Sequence, residues 1–155
     1  MQNILNMDKE IAFKKILHYC NYQERCQKEI YDKLKSFELE DADKFFIINF
    51  LQEEGFINDE RYCRTYVKSK LNLKKWGINK IKLSLISKGI EKQIIDKVLS
   101  EIDHDKYKDE LLNILKNKKI NENDLYKRKA KLLRYALSKG YAMDDILEVL
   151  KILEL

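Results

Sequence analysis

The sequence predicts an all-α protein made of three tandem three-helix repeats that form an elongated, curved helical array. Three observations carry this prediction: proline is absent, apolar residues recur at three- and four-residue steps, and the chain matches itself at an offset of 51 residues. Apolar residues at that spacing lie on one face of an amphipathic helix, and the two-residue alternation typical of strands is hard to find. Function in such an array lies on an extended face, because each unit touches mainly its neighbours.

Successive apolar stripes predict nine helices. Their ranges are 8–20, 24–36, 41–54, 59–73, 79–88, 91–102, 106–117, 122–139 and 143–154. Four glycines fall where stripes stop, as expected of the left-handed residue that ends many helices: Gly55, Gly77, Gly89 and Gly140. Three asparagines are predicted to cap helices through their side-chain oxygens: Asn58, Asn79 and Asn121. Asp59 follows the first of these and suits the positive end of the helix dipole.

The internal match is carried by apolar positions and by one recurring tripeptide. Ile30 falls on Ile81 after one shift of 51 residues, and a second shift carries Ser87-Lys88-Gly89 onto Ser138-Lys139-Gly140. A fixed offset across many apolar positions indicates stacked copies of one structural unit. The predicted repeats cover residues 1–57, 58–102 and 103–155, of which the second is the central basic unit and the third is divergent.

The amino-acid composition indicates the broad class of protein to which the chain belongs. The chain has 155 residues, of which 45% are hydrophobic and 37% charged, the balance of a soluble folded protein. No apolar run approaches the roughly 18 residues that a membrane span needs, and no signal peptide is recognised, so we expect a cytoplasmic protein without a membrane partner. Three cysteines without metal-ligand spacing are predicted to be buried reduced thiols: Cys20, Cys26 and Cys63.

The residue types that carry catalysis are not arranged for it in this sequence. His18 and His104 lie far apart, with no cysteine or carboxylate at metal-ligand spacing. Phosphate-binding glycine loops and the common hydrolase motifs are absent. Helix dipoles and solubility account for the paired carboxylates near predicted helix ends. We therefore predict a non-enzymatic protein with no cofactor, no metal and no small-molecule substrate.

One segment carries charge of a single sign. From Arg61 to Ile90 there are nine Lys or Arg and no Asp or Glu, and residues 58–102 hold 11 bases and 5 acids, a net of +6 in a chain of net +5. Uncancelled charge of this kind suggests a polyanionic partner, although a charged stripe is also the solvated side of any amphipathic helix. Trp76 is a candidate to stack on a base or a partner, or to serve the core or a hinge. The candidate contact residues are Arg61, Arg64, Lys68, Lys70, Lys74, Lys75, Trp76, Lys80, Lys82 and Lys88.

The same segment resembles the RecX family of bacterial regulators of the recombinase RecA. The residues that carry the resemblance are Gly55-Phe56-Ile57-Asn58-Asp59-Glu60-Arg61-Tyr62-Cys63, Tyr66-Val67, Trp76-Gly77, Lys80-Ile81, Leu85 and Lys88-Gly89-Ile90. The likeness is strong over 55–90, fair over 12–54 and thin after 103. Cys63 stands where alanine is common, and Ile78 where a proline often follows the glycine. Motif residues expected to serve the fold are Gly55, Asp59, Tyr62, Gly77, Ile81, Leu85, Gly89 and Ile90.

The resemblance implies a fold and a function. RecX-family proteins consist of three three-helix repeats, bind along the helical groove of the RecA–DNA filament and restrain its growth, ATP hydrolysis, strand exchange and coprotease activity; some members also bind DNA. The expected role is therefore regulation of RecA in DNA repair, homologous recombination and the SOS response. Two alternatives stay open: a general DNA-binding protein with a helix-turn-helix over 79–102, and a structural repeat scaffold.

Overall fold

Over residues 2–155 the chain folds into nine α-helices joined by short loops. A computed structural model describes the backbone of residues 2–155 and the side chains of residues 8–155. The helices are α1 (Gln2–Tyr22), α2 (Gln27–Leu34), α3 (Asp41–Glu53), α4 (Asp59–Asn72), α5 (Ile78–Ser87), α6 (Lys92–Ser100), α7 (His104–Asn117), α8 (Leu125–Ser138) and α9 (Met143–Ile152). All nine predicted helices are confirmed. The largest difference in bounds is at α1, which begins at residue 2 and not at residue 8.

Consecutive helices form three triplets, α1–α3, α4–α6 and α7–α9, and each triplet encloses its own core. The helix pairs that pack closely lie within a triplet, for example α4 with α6 and α8 with α9. Fully buried side chains come from the helices predicted to be amphipathic: Ile16, Leu34 and Leu51 in the first triplet, Ile81, Leu85 and Ile95 in the second, and Leu111, Leu132 and Ile146 in the third. The predicted all-α fold of three-helix repeats is confirmed.

The array exposes more surface than a compact chain of its mass. Its accessible surface is 10593 Å², whereas a compact monomer of 18.6 kDa would expose about 8,200 Å². Three small cores in a row leave more area exposed than one large core, as expected for an extended array. Among the described helices, none combines the length and the apolar composition needed to cross a bilayer.

Three of the four glycines end helices in the predicted way. Gly55, Gly89 and Gly140 have φ angles of 76°, 75° and 99°, a conformation in which a side chain would be strained. Gly77 differs: its φ is −80° and it is the N-cap residue of α5, so the prediction of a left-handed helix end there is wrong. Lys75, two residues earlier, takes the left-handed conformation instead, with a φ of 57°.

One of the three predicted N-caps is correct. The Asn58 side chain accepts a hydrogen bond from the Arg61 N–H at 2.9 Å. Asn79 lies inside α5, because the start of that helix is fixed by the packing of the preceding glycine against the third triplet. Asn121 precedes α8 by several residues, and Asp124 caps that helix by accepting from the Lys127 N–H at 3.0 Å.

The first two triplets are joined by the loop between α1 and α2. The Cys26 side chain is buried in the core of the second triplet, with its Sγ 3.7 Å from the Lys88 carbonyl oxygen. The N–H of Gln27 donates to Asp59 Oδ1 at 2.9 Å. Asp59 therefore holds two triplets together as well as beginning α4, and its burial raises the pKa of its carboxyl group.

The second and third triplets are joined at the equivalent place. The Gly77 N–H donates to the Lys139 carbonyl at 2.7 Å, and the Asn79 N–H donates to the Gly140 carbonyl at 3.0 Å. Gly77 lies 51 residues after Cys26, and Lys139 lies 51 residues after Lys88. The same contact between a loop and a helix end thus recurs, and the offset found in the sequence also describes how the triplets join.

The three cysteines are free thiols. Cys26 and Cys63 are fully buried, and burial raises the pKa of each thiol to about 11. Cys20 is only partly buried, so the expectation that all three are buried is wrong for this residue. Cys26 also lies just before α2 and not within the helix.

Candidate functional site

The acid-free segment from Arg61 to Ile90 covers α4, the following loop and α5. Its two helices pack against each other and against α6 within the second triplet. Carboxylates from α6, from the other two triplets and from the start of α4 reach this segment in the fold. The predicted contact residues therefore divide into two groups, according to whether a carboxylate lies beside them.

Four of the nine cations in the segment form ion pairs with acids outside it. Arg64 is the most engaged, since it donates to both carboxylate oxygens of Glu101 at 2.9 and 2.8 Å and to Glu60 at 2.9 Å. These hydrogen bonds raise the pKa of Arg64 and lower that of the Glu101 carboxyl group. The pKa of Glu60 is lowered by hydrogen bonds from Lys97 and, second, from Arg64. The other three pairs are Arg61 with Glu24 at 2.7 Å, Lys75 with Glu110 at 2.5 Å, and Lys82 with Asp96 at 3.6 Å.

Three of the remaining cations lie over aromatic rings. Lys70 Nζ is 5.2 Å from the centre of the Tyr66 ring and 4.7 Å from that of Trp76. Lys80 Nζ is 4.5 Å from the Trp76 ring, and Lys88 Nζ is 5.7 Å from the Tyr66 ring. None of these three lysines has a carboxylate within 4 Å among the described side chains. We call these five residues the central cluster.

The loop between α4 and α5 positions Trp76. Its backbone N–H donates to the Lys70 carbonyl at 2.9 Å, which turns the chain back over the end of α4. One part of the indole packs against the core of the second triplet, and the rest is exposed between two lysines. Trp76 therefore serves the core, and because part of its ring lies at the surface it also stays a candidate contact residue.

The central cluster includes Tyr66, which was not among the predicted contact residues. Tyr66 is partly exposed, stacks on Tyr62 with ring centres 5.9 Å apart, and shares a short hydrogen bond with the Ser84 hydroxyl. The four-residue spacing of Tyr66 and Lys70 was the available signal, since residues at that spacing are neighbours on a helix.

Lys68 and Lys74 are exposed and have neither a carboxylate nor a ring beside them in the described structure. In the described structure neither lysine contacts the central cluster, and neither is shielded from a partner that covers the cluster. Both stay candidates on charge alone.

The motif residues assigned to the fold are placed in the second triplet and its junctions. Tyr62, Ile81, Leu85 and Ile90 are buried in its core, and burial raises the pKa of the Tyr62 hydroxyl. The remaining motif residues lie at helix ends or at junctions: Gly55, Asp59, Gly77 and Gly89.

Two further features bear on chemistry. His18 and His104 are both exposed, and in the described part of the chain no group of three or more His, Cys, Asp or Glu side chains could hold a metal ion.

An open groove of about 620 Å³ lies between the second and third triplets, lined by Val67, Leu71 and Tyr107 among others. Arg64 and Glu101 at its rim pair with each other, so their charges are compensated.

Comparison with known proteins relates the chain to one family. The profile for the second three-helix domain of RecX matches residues 58–99, and that for the third matches residues 109–150. A regulatory protein RecX from Clostridium botulinum (strain Eklund 17B / Type B) is 40% identical over 134 residues, which cover 82% of this chain. Another from Clostridium acetobutylicum is 34% identical over 158 residues, which cover 97% of this chain and 73% of that protein.

The chain spans 61% of the length of the Clostridium botulinum relative. Among solved structures, RecX from Lactobacillus salivarius is 26% identical and superposes with a TM-score of 0.87, covering 96% of this chain and 98% of that one. A second RecX crystal structure, at 21% identity and a TM-score of 0.80, shares the fold.

Proposed function

Because the chain belongs to the RecX family of regulatory proteins, we propose that it is a non-enzymatic regulator of RecA that binds in the groove of the RecA–DNA filament. It restrains the recombinase, ATPase and coprotease activities of RecA in DNA repair and the SOS response, in the cytoplasm. Membership of the family is the observation that supports the partner. The proposed units are those of the sequence analysis, with boundaries after residues 57 and 102.

The extended array suits a filament as partner. A rod of three joined triplets offers many contact points, and contacts that engage together add in strength when the geometry permits all of them at once. The filament would supply acidic protein surface and DNA phosphates, and the central cluster would supply cations that no carboxylate neutralises in the described structure. Binding across successive RecA subunits would obstruct their movement and the extension of the filament.

Ion pairing narrows the set of residues proposed to contact the filament. Arg61, Arg64, Lys75 and Lys82 already bind carboxylates of this chain, and a partner would have to compete for them. We therefore place the principal contacts at the central cluster, and Lys68 and Lys74 stay candidates on charge alone.

A general DNA-binding helix-turn-helix is less well supported. In that arrangement the second helix enters the major groove with its polar face free. Here α6 would be that helix, and two of its outward charged residues are engaged: Lys97 pairs with Glu60 at 2.8 Å, and Asp96 pairs with Lys82 at 3.6 Å.

The test is the ATPase activity of RecA on single-stranded DNA, measured with increasing amounts of this protein. Inhibition that approaches completion near a fixed ratio of protein to RecA is expected. Unchanged ATPase and unchanged filament length across all ratios would contradict the proposal. Binding to naked DNA with a steep salt dependence, and no effect on RecA, would favour the helix-turn-helix alternative.

A second experiment assigns the contact residues. The variant K70Q/K80Q/K88Q should inhibit RecA less than the wild type. Its matched control, K92Q/K106Q/K151Q, removes the same charge from three exposed lysines that have no carboxylate or ring beside them among the described residues. Equal loss of inhibition in both variants would show that net charge matters and that the central cluster does not.

A further inference from the structure

An open cavity of about 550 Å³ lies on the surface of the first triplet, between α1 and α3. We call the surface around it the α1–α3 face. Its lining includes Glu10, Phe13 and Lys14 from α1 and Ala42, Phe46 and Ile47 from α3. Phe46 protrudes from this surface with 71% of its area exposed. An exposed apolar patch with polar residues at its edge is typical of an interaction surface.

The position of Phe46 is charged in the other two triplets. Lys97 lies 51 residues after Phe46, and Glu148 lies 51 residues after Lys97. Each of these charged residues pairs with the first helix of its own triplet: Lys97 with Glu60 at 2.8 Å, and Glu148 with Lys108 at 2.7 Å. A solvent-facing position of the repeat is therefore aromatic in the first triplet alone.

The neighbouring contact between α1 and α3 differs from its equivalent in the same way. Phe13 and Phe50 pack edge to face with ring centres 5.3 Å apart. Arg64 and Glu101, which lie 51 residues after them, form two hydrogen bonds at 2.9 and 2.8 Å. The charged groups of the second triplet therefore satisfy one another, whereas the apolar surface of the first triplet gains stability when another apolar surface covers it.

The charges at the edge of the α1–α3 face indicate what covers it. Glu10 and Lys14 both line the cavity and are exposed, and neither has an ion-pair partner within 4 Å among the described side chains. They lie about one turn apart on α1. A twofold axis between two antiparallel α1 helices would place Glu10 of each copy beside Lys14 of the other, because residues in a twofold contact pair reciprocally.

We propose that the α1–α3 face is a homodimer interface, in which a second copy of this chain covers it about a twofold axis. The Phe46 ring of each copy enters the cavity of the other, and reciprocal Glu10–Lys14 pairs form at the edge. One patch that holds a protruding ring, a cavity and charges of both signs is complementary to itself, as a twofold interface requires. An aromatic centre with a charged rim is also the usual arrangement of a protein interface.

The inference goes beyond the role proposed toward RecA, since it concerns association of the chain with itself and holds without RecA. The central cluster lies in the second triplet, outside the α1–α3 face. A dimer would therefore carry two central clusters.

Sedimentation velocity over a series of protein concentrations measures the association. The wild type should shift from monomer to dimer as its concentration rises. F46Q should weaken dimerisation by about 100-fold, because twofold symmetry removes two central rings at once. The matched control is L125Q, which removes a 67% exposed apolar side chain from the third triplet and should dimerise as the wild type does.

Reversal of the edge charges distinguishes a second copy from any other partner. E10K and K14E should each weaken dimerisation by about tenfold, since each brings like charges together twice in the dimer. The double variant E10K/K14E should dimerise as the wild type does, because opposite charges again face each other. A different partner protein keeps its own charges, so its binding would not recover in the double variant.

Three results would overturn the inference: a wild type that stays monomeric at every concentration, F46Q that dimerises as well as L125Q, or a double variant that does not recover. Circular dichroism checks the fold of each variant, and the exposed charge variants keep the test decisive if F46Q does not fold. RecA ATPase separates the two proposals. Dimerisation without inhibition of RecA would contradict the proposed function alone. Loss of RecA inhibition in F46Q, with a monomeric wild type, would assign the face to RecA and overturn the inference.

Discussion

Gly77 and Gly140 lie with their backbones in direct contact where the second and third triplets meet. A Cβ on Gly77 would overlap the Gly140 carbonyl and the Tyr141 nitrogen. At the equivalent junction between the first and second triplets, Cys26 stands in place of Gly77 and its side chain fills the space. A side chain therefore fills the junction between the first and second triplets, whereas backbone contact closes the junction between the second and third. Only glycine permits this backbone contact.

Replacing Gly77 by alanine should destabilise the protein by about 1–3 kcal/mol, as expected for an added methyl group in a packed site. The φ of −80° at this position suits alanine, so the loss would come mainly from the collision, with a smaller part from the weaker N-cap that alanine forms for α5. G55A is the contrasting control: its Cβ would meet no atom within 4 Å, but its φ of 76° is unfavourable, a cost of about 1–2 kcal/mol.

Urea unfolding compares the two variants, and amide hydrogen exchange locates the change. Faster exchange of the Asn79 N–H in G77A, and not in G55A, would show that the junction has opened. Unfolding of G77A at the same urea concentration as the wild type would contradict the packing argument.

The N-cap assignments give a second prediction. N58A should lower the free energy of unfolding by about 1 kcal/mol, because the Arg61 N–H loses its side-chain acceptor. N79A should have a small effect or a slightly stabilising one, since Asn79 lies within α5 and alanine is the better helix former. Chemical unfolding of the two variants decides the matter, and a larger loss in N79A would return Asn79 to the role of cap.

Removing a cation that forms ion pairs within the protein should lower its stability, whereas removing a cation proposed to contact the filament should weaken the regulation of RecA. R64Q should unfold at a lower urea concentration than the wild type, because Glu60 and Glu101 lose their common partner. K70Q should unfold at nearly the wild-type concentration, since Lys70 has no carboxylate partner among the described residues. In the RecA ATPase assay we expect K70Q to inhibit RecA less than R64Q does, although K70Q is the more stable of the two variants. Equal stability of the two variants would show that the Arg64 network contributes little.

The pH dependence of stability should have opposite signs at two carboxyl groups. Burial raises the pKa of Asp59, so its contribution to the free energy of unfolding is full below its ordinary value of 3.8 and is lost as the pH rises through the folded-state pKa. Hydrogen bonds from Arg64 lower the pKa of Glu101, so its contribution is present above its ordinary value of 4.5 and is lost as the pH falls through the folded-state pKa.

The difference in the free energy of unfolding between each variant and the wild type should therefore change with pH. It should favour D59N more at pH 7 than at pH 3, and it should disfavour E101Q more at pH 7 than at pH 3. Asparagine retains an oxygen that can accept from the Gln27 N–H, which isolates the effect of charge. Urea unfolding at the two pH values provides the comparison, and a common sign for both variants would contradict these assignments.

The sequence predicted local features well. Helix number and order followed from apolar spacing, and Gly55, Gly89 and Gly140 were correctly placed at helix ends. The errors fell at Gly77 and Asn79, next to a junction. There the start of α5 is decided by contact with residues of the third triplet, which no local preference reveals.

The candidate site was predicted less completely. The acid-free segment contains Trp76 and the lysines around it, and it gave no indication of the place of Tyr66 in the central cluster. The four-residue spacing of Tyr66 and Lys70 was present in the sequence. It became informative only when the Nζ-to-ring distance of 5.2 Å showed that the two residues are in contact.

By itself, then, the sequence determined the nine helices, the repeat of 51 residues and the likeness to RecX, because apolar spacing, turn glycines and motifs act over short stretches of chain. Only the tertiary structure decided which cations of the Arg61–Ile90 segment are free. Arg61 meets Glu24 and Arg64 meets Glu101 across 37 residues of sequence in each case. Charge compensation depends on distance in space, and the packing of the triplets sets that distance.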